Sequence, residues 1–271
     1  MPMRRLPRAV WRRIIADYLC RDQAPLSPGD WAEVDAAVAQ SHATHAVGRR
    51  FLPVQEGVAP GIAVLHRGSD PGRGGRRGPE RGLSLGLVHS DFPVPPRGPG
   101  FLAAVLRAGM DAARTCALAE DHLILHGHPA LGHQGLLGAR GRNVLPLGDW
   151  RSPERAREDL VRGLERLIRR GFRGPFALVL HPDRLAAIDP DGWPAGLARS
   201  FAAGVFPTRQ MSREQVLLAA VTPDTMDLAV AQPLTTAYLP AGEAGQFRVF
   251  ALVALRTKEP GAICTLEAWR S

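Results

Sequence analysis

From Gln215 to Leu266 the sequence offers five strand-like segments in succession, at 215–221, 226–230, 235–239, 247–255 and 262–266. Ahead of them, apolar residues recur at helical spacing. Trp31, Val34, Ala37 and Val38 share one face behind Ser27-Pro28-Gly29-Asp30, where serine caps the helix and proline takes its first position. This helix is expected to run to about Val47 and stop at Gly48. Leu102, Val105, Leu106, Met110, Ala113 and Ala117 keep the same period within a long helix from Phe101 to Leu125. Ser152-Pro153-Glu154 opens another, with the stripe Leu160, Leu164, Leu167 and Ile168. Helices first and a sheet late make the fold class α+β, and no internal repeat is visible.

The connections are equally readable. Phe51 to Val54 could be a strand, and Asp70 to Gly82 is a solvated loop packed with Gly, Pro and Arg. Gly127 to Arg142 is turn-rich. Gly174-Pro175 leads into the uninterrupted apolar run Phe176 to Leu180, the pattern of a buried strand, and His181-Pro182-Asp183 into a short helix. Asp189-Pro190-Asp191-Gly192-Trp193-Pro194 reads as a loop, because two prolines and a glycine break regular structure.

No apolar run approaches the ~20 residues of a spanning helix, and a soluble chain is expected. Its net charge of +8 is almost all guanidinium, Lys258 being the only lysine. Arginine can read phosphate, but here the arginines are dispersed, as a GC-rich coding bias would leave them. Cys20, Cys116 and Cys264 are too few and too far apart for a disulfide framework or a thiolate metal knuckle, which suits a reducing cytoplasm. The first thirteen residues are basic without a following signal-peptide core. Trp11, Ile14, Ile15, Tyr18 and Leu19 line one stripe of an amphipathic N-terminal arm, able to lie on a membrane or nucleic acid, or to pack on its own protein.

Motifs for chemistry are weak. Gly82-Leu83-Ser84-Leu85-Gly86 matches G-x-S-x-G, yet an Arg/Gly loop precedes it and a proline-rich stretch follows the strand-like Leu87-Val88-His89, where a nucleophile elbow needs a buried strand and a helix. His122, His126, His128 and His133 cluster, the first two at i, i+4, so a metal could meet them from one helix face; histidines bonded to nearby backbone are the plainer reading, and no metal is expected. No phosphate-binding glycine loop is present. No catalytic residue is assigned.

A series of blocks nevertheless resembles one family. Ala24-Pro25-Leu26-Ser27 before Trp31, Val47-Gly48-Arg49-Arg50-Phe51, Glu120-Asp121-His122-Leu123-Ile124-Leu125-His126-Gly127, Gly135-Leu136-Leu137 and Pro146-Leu147-Gly148-Asp149-Trp150 are similar to encapsulins. The order continues through Gly174 to Leu180, Met226 to Val230, Thr236 to Leu239, Phe247-Arg248-Val249 and Ala262 to Leu266. Encapsulins are bacterial and archaeal shell proteins sharing the tailed-phage major capsid fold. The resemblance implies a cytoplasmic, self-assembling icosahedral nanocompartment around a cargo enzyme, commonly a peroxidase or a ferritin-like iron oxidase, held through a short targeting peptide. The subunit itself is then not an enzyme.

By that resemblance residues 1–23 form the arm, 24–54, 91–140 and 222–271 a peripheral domain, 55–90 an extended loop and 141–221 an axial domain. Asp189, Pro190, Asp191, Gly192 and Trp193 would form the loop at a five-fold pore, where repeated carboxylates concentrate cations, or else a plain solvated turn. His42, Arg49, Pro53, Val54, Leu228 and Leu234 would line the cargo-docking groove. Flavin is not expected, because the stretch after Asp91-Phe92 lacks the tryptophan-bearing segment of some relatives; no cofactor, membrane or nucleic-acid partner is expected. Two other readings remain: a phage capsid protein holding DNA, favoured by the arginines, and a hydrolase centred on Ser84.

Overall fold

The computed structural model describes residues 18–58, 62–65, 81–188, 193, 195–240 and 245–268. Residues 62–65, 81 and 82 are described by their backbone alone. The arm positions Trp11, Ile14 and Ile15 and the loop positions Asp189 to Gly192 lie outside this set, as does most of the stretch from 59 to 80. The chain divides into two compact units, 1–46 with 87–119 and 232–252, and 47–86 with 120–231 and 253–271.

In the first unit, α1 (Pro28–His45) starts on a capping box: the Ser27 hydroxyl accepts from the Asp30 N–H at 3.2 Å, and the Asp30 carboxylate accepts from the Ser27 N–H at 2.8 Å. Trp31, Val34 and Val38 are buried as their spacing requires. They pack with Val105, Ala112, Ala113 and Cys116 of the long helix that begins at Phe101, and with Phe92, Phe247 and Val249. Phe247 is the hub, its ring 5.9 Å from Trp31, 5.2 Å from Phe92 and 5.6 Å from Tyr238. Gly109 allows the close approach, since a Cβ there would stand 3.3 Å from Val38. Ahead of α1, Arg21 forks onto Asp35 at 2.7 and 2.8 Å, donates to the Thr236 carbonyl and lies 4.4 Å from the Trp31 ring.

The second unit holds a five-stranded sheet in the order β5-β11-β8-β6-β7, formed by Asn143–Pro146, Ile263–Glu267, Gln215–Ala220, Phe176–Leu180 and Gly204–Pro207. β8 runs antiparallel to both neighbours, whereas the outer pairs β11/β5 and β6/β7 are parallel. Every residue of β6 is buried, which explains its uninterrupted apolar sequence. The helix Pro153–Arg169, capped by Ser152, covers the sheet with Ala156, Leu160, Leu164 and Leu167. A Cβ on Gly163 would come within 2.9 Å of Leu218, so glycine sets the helix close to the sheet. Ile168 departs from the expected stripe and is 53% exposed: one step beyond Leu167 turns it about 100° off the buried face.

Three expectations need correction. α1 ends at His45, and Gly48 does not stop a helix but opens a short one, α2 (Gly48–Phe51). The cause is Asp121, whose carboxylate takes the N–H groups of Val47 at 2.9 Å and Gly48 at 2.7 Å; a Cβ on Gly48 would lie 2.3 Å from Ile124. The strand expected at 51–54 therefore begins only at Val54, as β1 (Val54–Glu56). Finally, 226–230 and 235–239 are one strand, β9 (Met226–Leu239). It runs through Pro233, and β1 pairs with its residues 228–230. β9 joins β1, β10 (Gln246–Thr257) and β4 (Gly86–Pro93) in the order β1-β9-β10-β4. The last two strands of the chain lie where the sequence placed them, and the long helix, Phe101–His126, is α3.

Candidate functional site

The groove residues expected from the sequence divide between the two units. His42, 5% exposed, lies on the buried face of α1, and Leu234 packs against the Phe247 cluster, both in the first unit. Arg49, Pro53, Val54 and Leu228 belong to the second unit, where they converge on the edge of a sheet. The Leu228 N–H donates to the Pro53 carbonyl at 2.9 Å, and Val54, Gln55 and Glu56 then run parallel to Leu228, Ala229 and Val230. Leu228 is fully buried and supplies backbone to this edge rather than a side chain. Val54 is 40% exposed, and Gln55 and Glu56 are exposed beside it.

β1 is short, polar at two of three positions and terminal in its sheet. Its second edge therefore carries no strand among the described residues. Such an edge can accept an extended peptide through main-chain hydrogen bonds, with Val54 rewarding an apolar side chain and Glu56 a basic one.

Two ion-pair networks hold this edge, and both contain residues that the sequence did not single out. Arg49 makes a forked pair with Glu120 at 2.7 and 2.8 Å; the Glu120 side chain is fully buried and that of Arg49 is 21% exposed. Burial works against the Arg49 charge, but Glu120 outweighs it and holds the guanidinium above its ordinary range. Arg49 thus has its own carboxylate and positions the turn into β1. Beneath β1, the buried Asp227 takes Arg256 at 2.6 and 2.7 Å and Lys258 at 2.7 Å, and Arg256 also donates to the Gln55 side-chain carbonyl. Glu120 and Asp227 each lie in a family block, but their partners do not follow from those blocks. Asp227 pairs across strands, at a separation that no local pattern encodes.

Of the remaining sites, the Trp193 ring lies 5.3 Å from that of Phe201, tilted by 47°, and its indole N–H donates to the Ile188 carbonyl. Tyr18 is exposed and Leu19 half-buried. The G-x-S-x-G segment forms no elbow: Ser84 ends strand β3 (Arg81–Ser84), Gly86 starts β4, and the contact between serine and histidine runs from the His133 ring to the Ser84 backbone carbonyl at 2.6 Å. That contact uses the serine's main chain rather than its hydroxyl, so it is not the serine–histidine pair of an activated nucleophile. His122 and His126 have ring centres 4.7 Å apart. No three His, Cys, Asp or Glu side chains among the described residues are arranged to hold a metal ion, and no helix among them is long and apolar enough to cross a membrane.

The model of the Linocin_M18 family, "Encapsulating protein for peroxidase", matches residues 16–74 and 102–251. The chain belongs to this encapsulin family. Along the sequence it is 29% identical over 277 residues to the type 1 encapsulin shell protein EncA of Myxococcus xanthus, covering 93% of this chain and 96% of that one. Among solved structures, the virus-like particle from Pyrococcus furiosus superposes with a TM-score of 0.73 at 22% identity, over 88% of this chain and 99% of that chain. The capsid of Myoviridae phage XM1 shares the fold more distantly, with a TM-score of 0.52 at 12% identity over 83% and 92% of the two chains. The α+β capsid architecture read from the encapsulin resemblance is thus the observed one. The family match contains the whole β1 edge together with Glu120, Asp227 and β9.

Proposed function

We propose that many copies of this chain close into a hollow icosahedral shell that encloses a cargo enzyme, a peroxidase or a ferritin-like protein, in the cytoplasm. The observation that carries this reading is the family match, which spans both compact units in the expected order. The shell subunit is structural, and chemistry belongs to the cargo. In this reading the free edge of β1 takes a short apolar and basic tail of the cargo, as its geometry favours. Residues 189–193 form the acidic loop around an opening, so that repetition about an axis raises the local cation concentration. The arm, residues 1–23, faces the lumen and braces subunits or holds cargo. Domains follow the capsid plan, with 24–54, 91–140 and 222–271 peripheral, 55–90 extended between neighbours and 141–221 axial.

The test is negative-stain imaging of the purified chain, with mass spectrometry of whatever co-purifies inside. Closed particles containing one dominant enzyme are expected. Particles filled with nuclease-protected DNA would favour the phage-capsid alternative, with which this chain shares its fold.

A further inference from the structure

We propose that His122 and His126 form a two-imidazole site for a late first-row divalent ion, Zn2+ or Cu2+. The two side chains are one turn apart on α3 and both are exposed, and their ring centres stand 4.7 Å apart. Two imidazoles bound to one ion through nitrogens at about 2.1 Å put their ring centres roughly 5 Å apart. The pair has that spacing with its planes 30° apart, and turning the His122 ring about its own side-chain bonds brings its lone pair toward that of His126 without change in the helix.

A second observation points the same way. The His126 Nε2 lies 2.8 Å from the Gln210 carbonyl oxygen, which can only accept; Nε2 therefore carries the proton, and the lone pair is left on Nδ1. A backbone carbonyl that fixes tautomer and ring orientation in this way is the usual support behind a metal-binding histidine. The preceding acidic residues do not compete for the ion. Asp121 is turned inward onto the Val47 and Gly48 amides, and Glu120 onto Arg49. The donor set is thus two imidazole nitrogens with open positions for water, which suits borderline ions rather than Mg2+ or Ca2+.

The experiment is isothermal titration of the full chain, purified without a histidine tag, with Zn2+ and separately Cu2+, alongside Cu2+ electron paramagnetic resonance. The wild type is expected to bind one ion per subunit, with nitrogen hyperfine structure from two imidazoles. H122A and H126A should each abolish binding or reduce it to that of a single histidine, whereas H128A, which changes a neighbouring exposed histidine, should leave it intact. No binding by the wild type, retained binding in both variants, or loss in only one of them would overturn the proposal. If an alanine variant does not fold, the resonance spectrum of the wild type decides alone, one or no coordinating imidazole refuting the pair.

Discussion

Truncating Val54 is the sharpest probe of the docking edge. Complete burial of a valine side chain stabilises by about 1.5–3 kcal/mol, and 40% of Val54 remains exposed for a tail to cover. Covering that fraction is worth roughly 0.6–1.2 kcal/mol, so V54A should weaken tail binding about 3- to 8-fold. The rest of the side chain is already covered within the subunit, so the truncation should also lower stability, by about 1 kcal/mol, which a thermal melt reads separately from tail binding. The assay is fluorescence anisotropy with a labelled peptide from the carboxyl end of the co-purified cargo, and the ratio of cargo to shell in purified particles is a second readout. Unchanged affinity and unchanged loading with V54A would show that the tail does not lie along β1.

Other expectations follow from the ion pairs and cysteines. D227A leaves Arg256 and Lys258 side by side without their carboxylate, which should cost about 3 kcal/mol and lower the thermal midpoint by roughly 10 °C, whereas V54A should lower it less. Arg248, by hydrogen bonding, holds the Asp91 carboxyl below its ordinary value of 3.8. A carboxyl depressed on folding adds stability that is complete above its unfolded value and lost as pH falls through the folded one, so D91N should flatten the denaturation profile below about pH 4. Burial pushes the Cys264 thiol up to about 11, so at pH 8 its thiolate is scarce. Iodoacetamide should modify it only after denaturant is added, and rapid labelling in native buffer would contradict its burial in β11.

Local signals were legible where structure is local. The Ser27-Pro28 start, the stripe Trp31, Val34 and Val38, the long helix and the buried β6 are all consequences of capping and periodicity within a few residues. The clearest error has a partner distant in the chain. Gly48 has the signature of a helix stop, but Asp121, 73 positions away, caps a new helix there. Residues 226–230 and 235–239 have separate strand patterns, yet they form one strand. The same holds for the site. Pro53 and Val54 could be placed through the family, while the outcome that Leu228 faces the core and Arg49 is held by Glu120 depends on register and on burial. His133 and Ser84 are joined through a carbonyl that the G-x-S-x-G pattern does not concern.

The central claim is that the chain works as a wall built of copies of itself. Native mass spectrometry of the untagged protein measures this directly. Discrete assemblies of megadalton mass, each an integer multiple of the 29.2 kDa subunit, are predicted. A single species at subunit or dimer mass, at native concentration and with cargo present, would contradict the account.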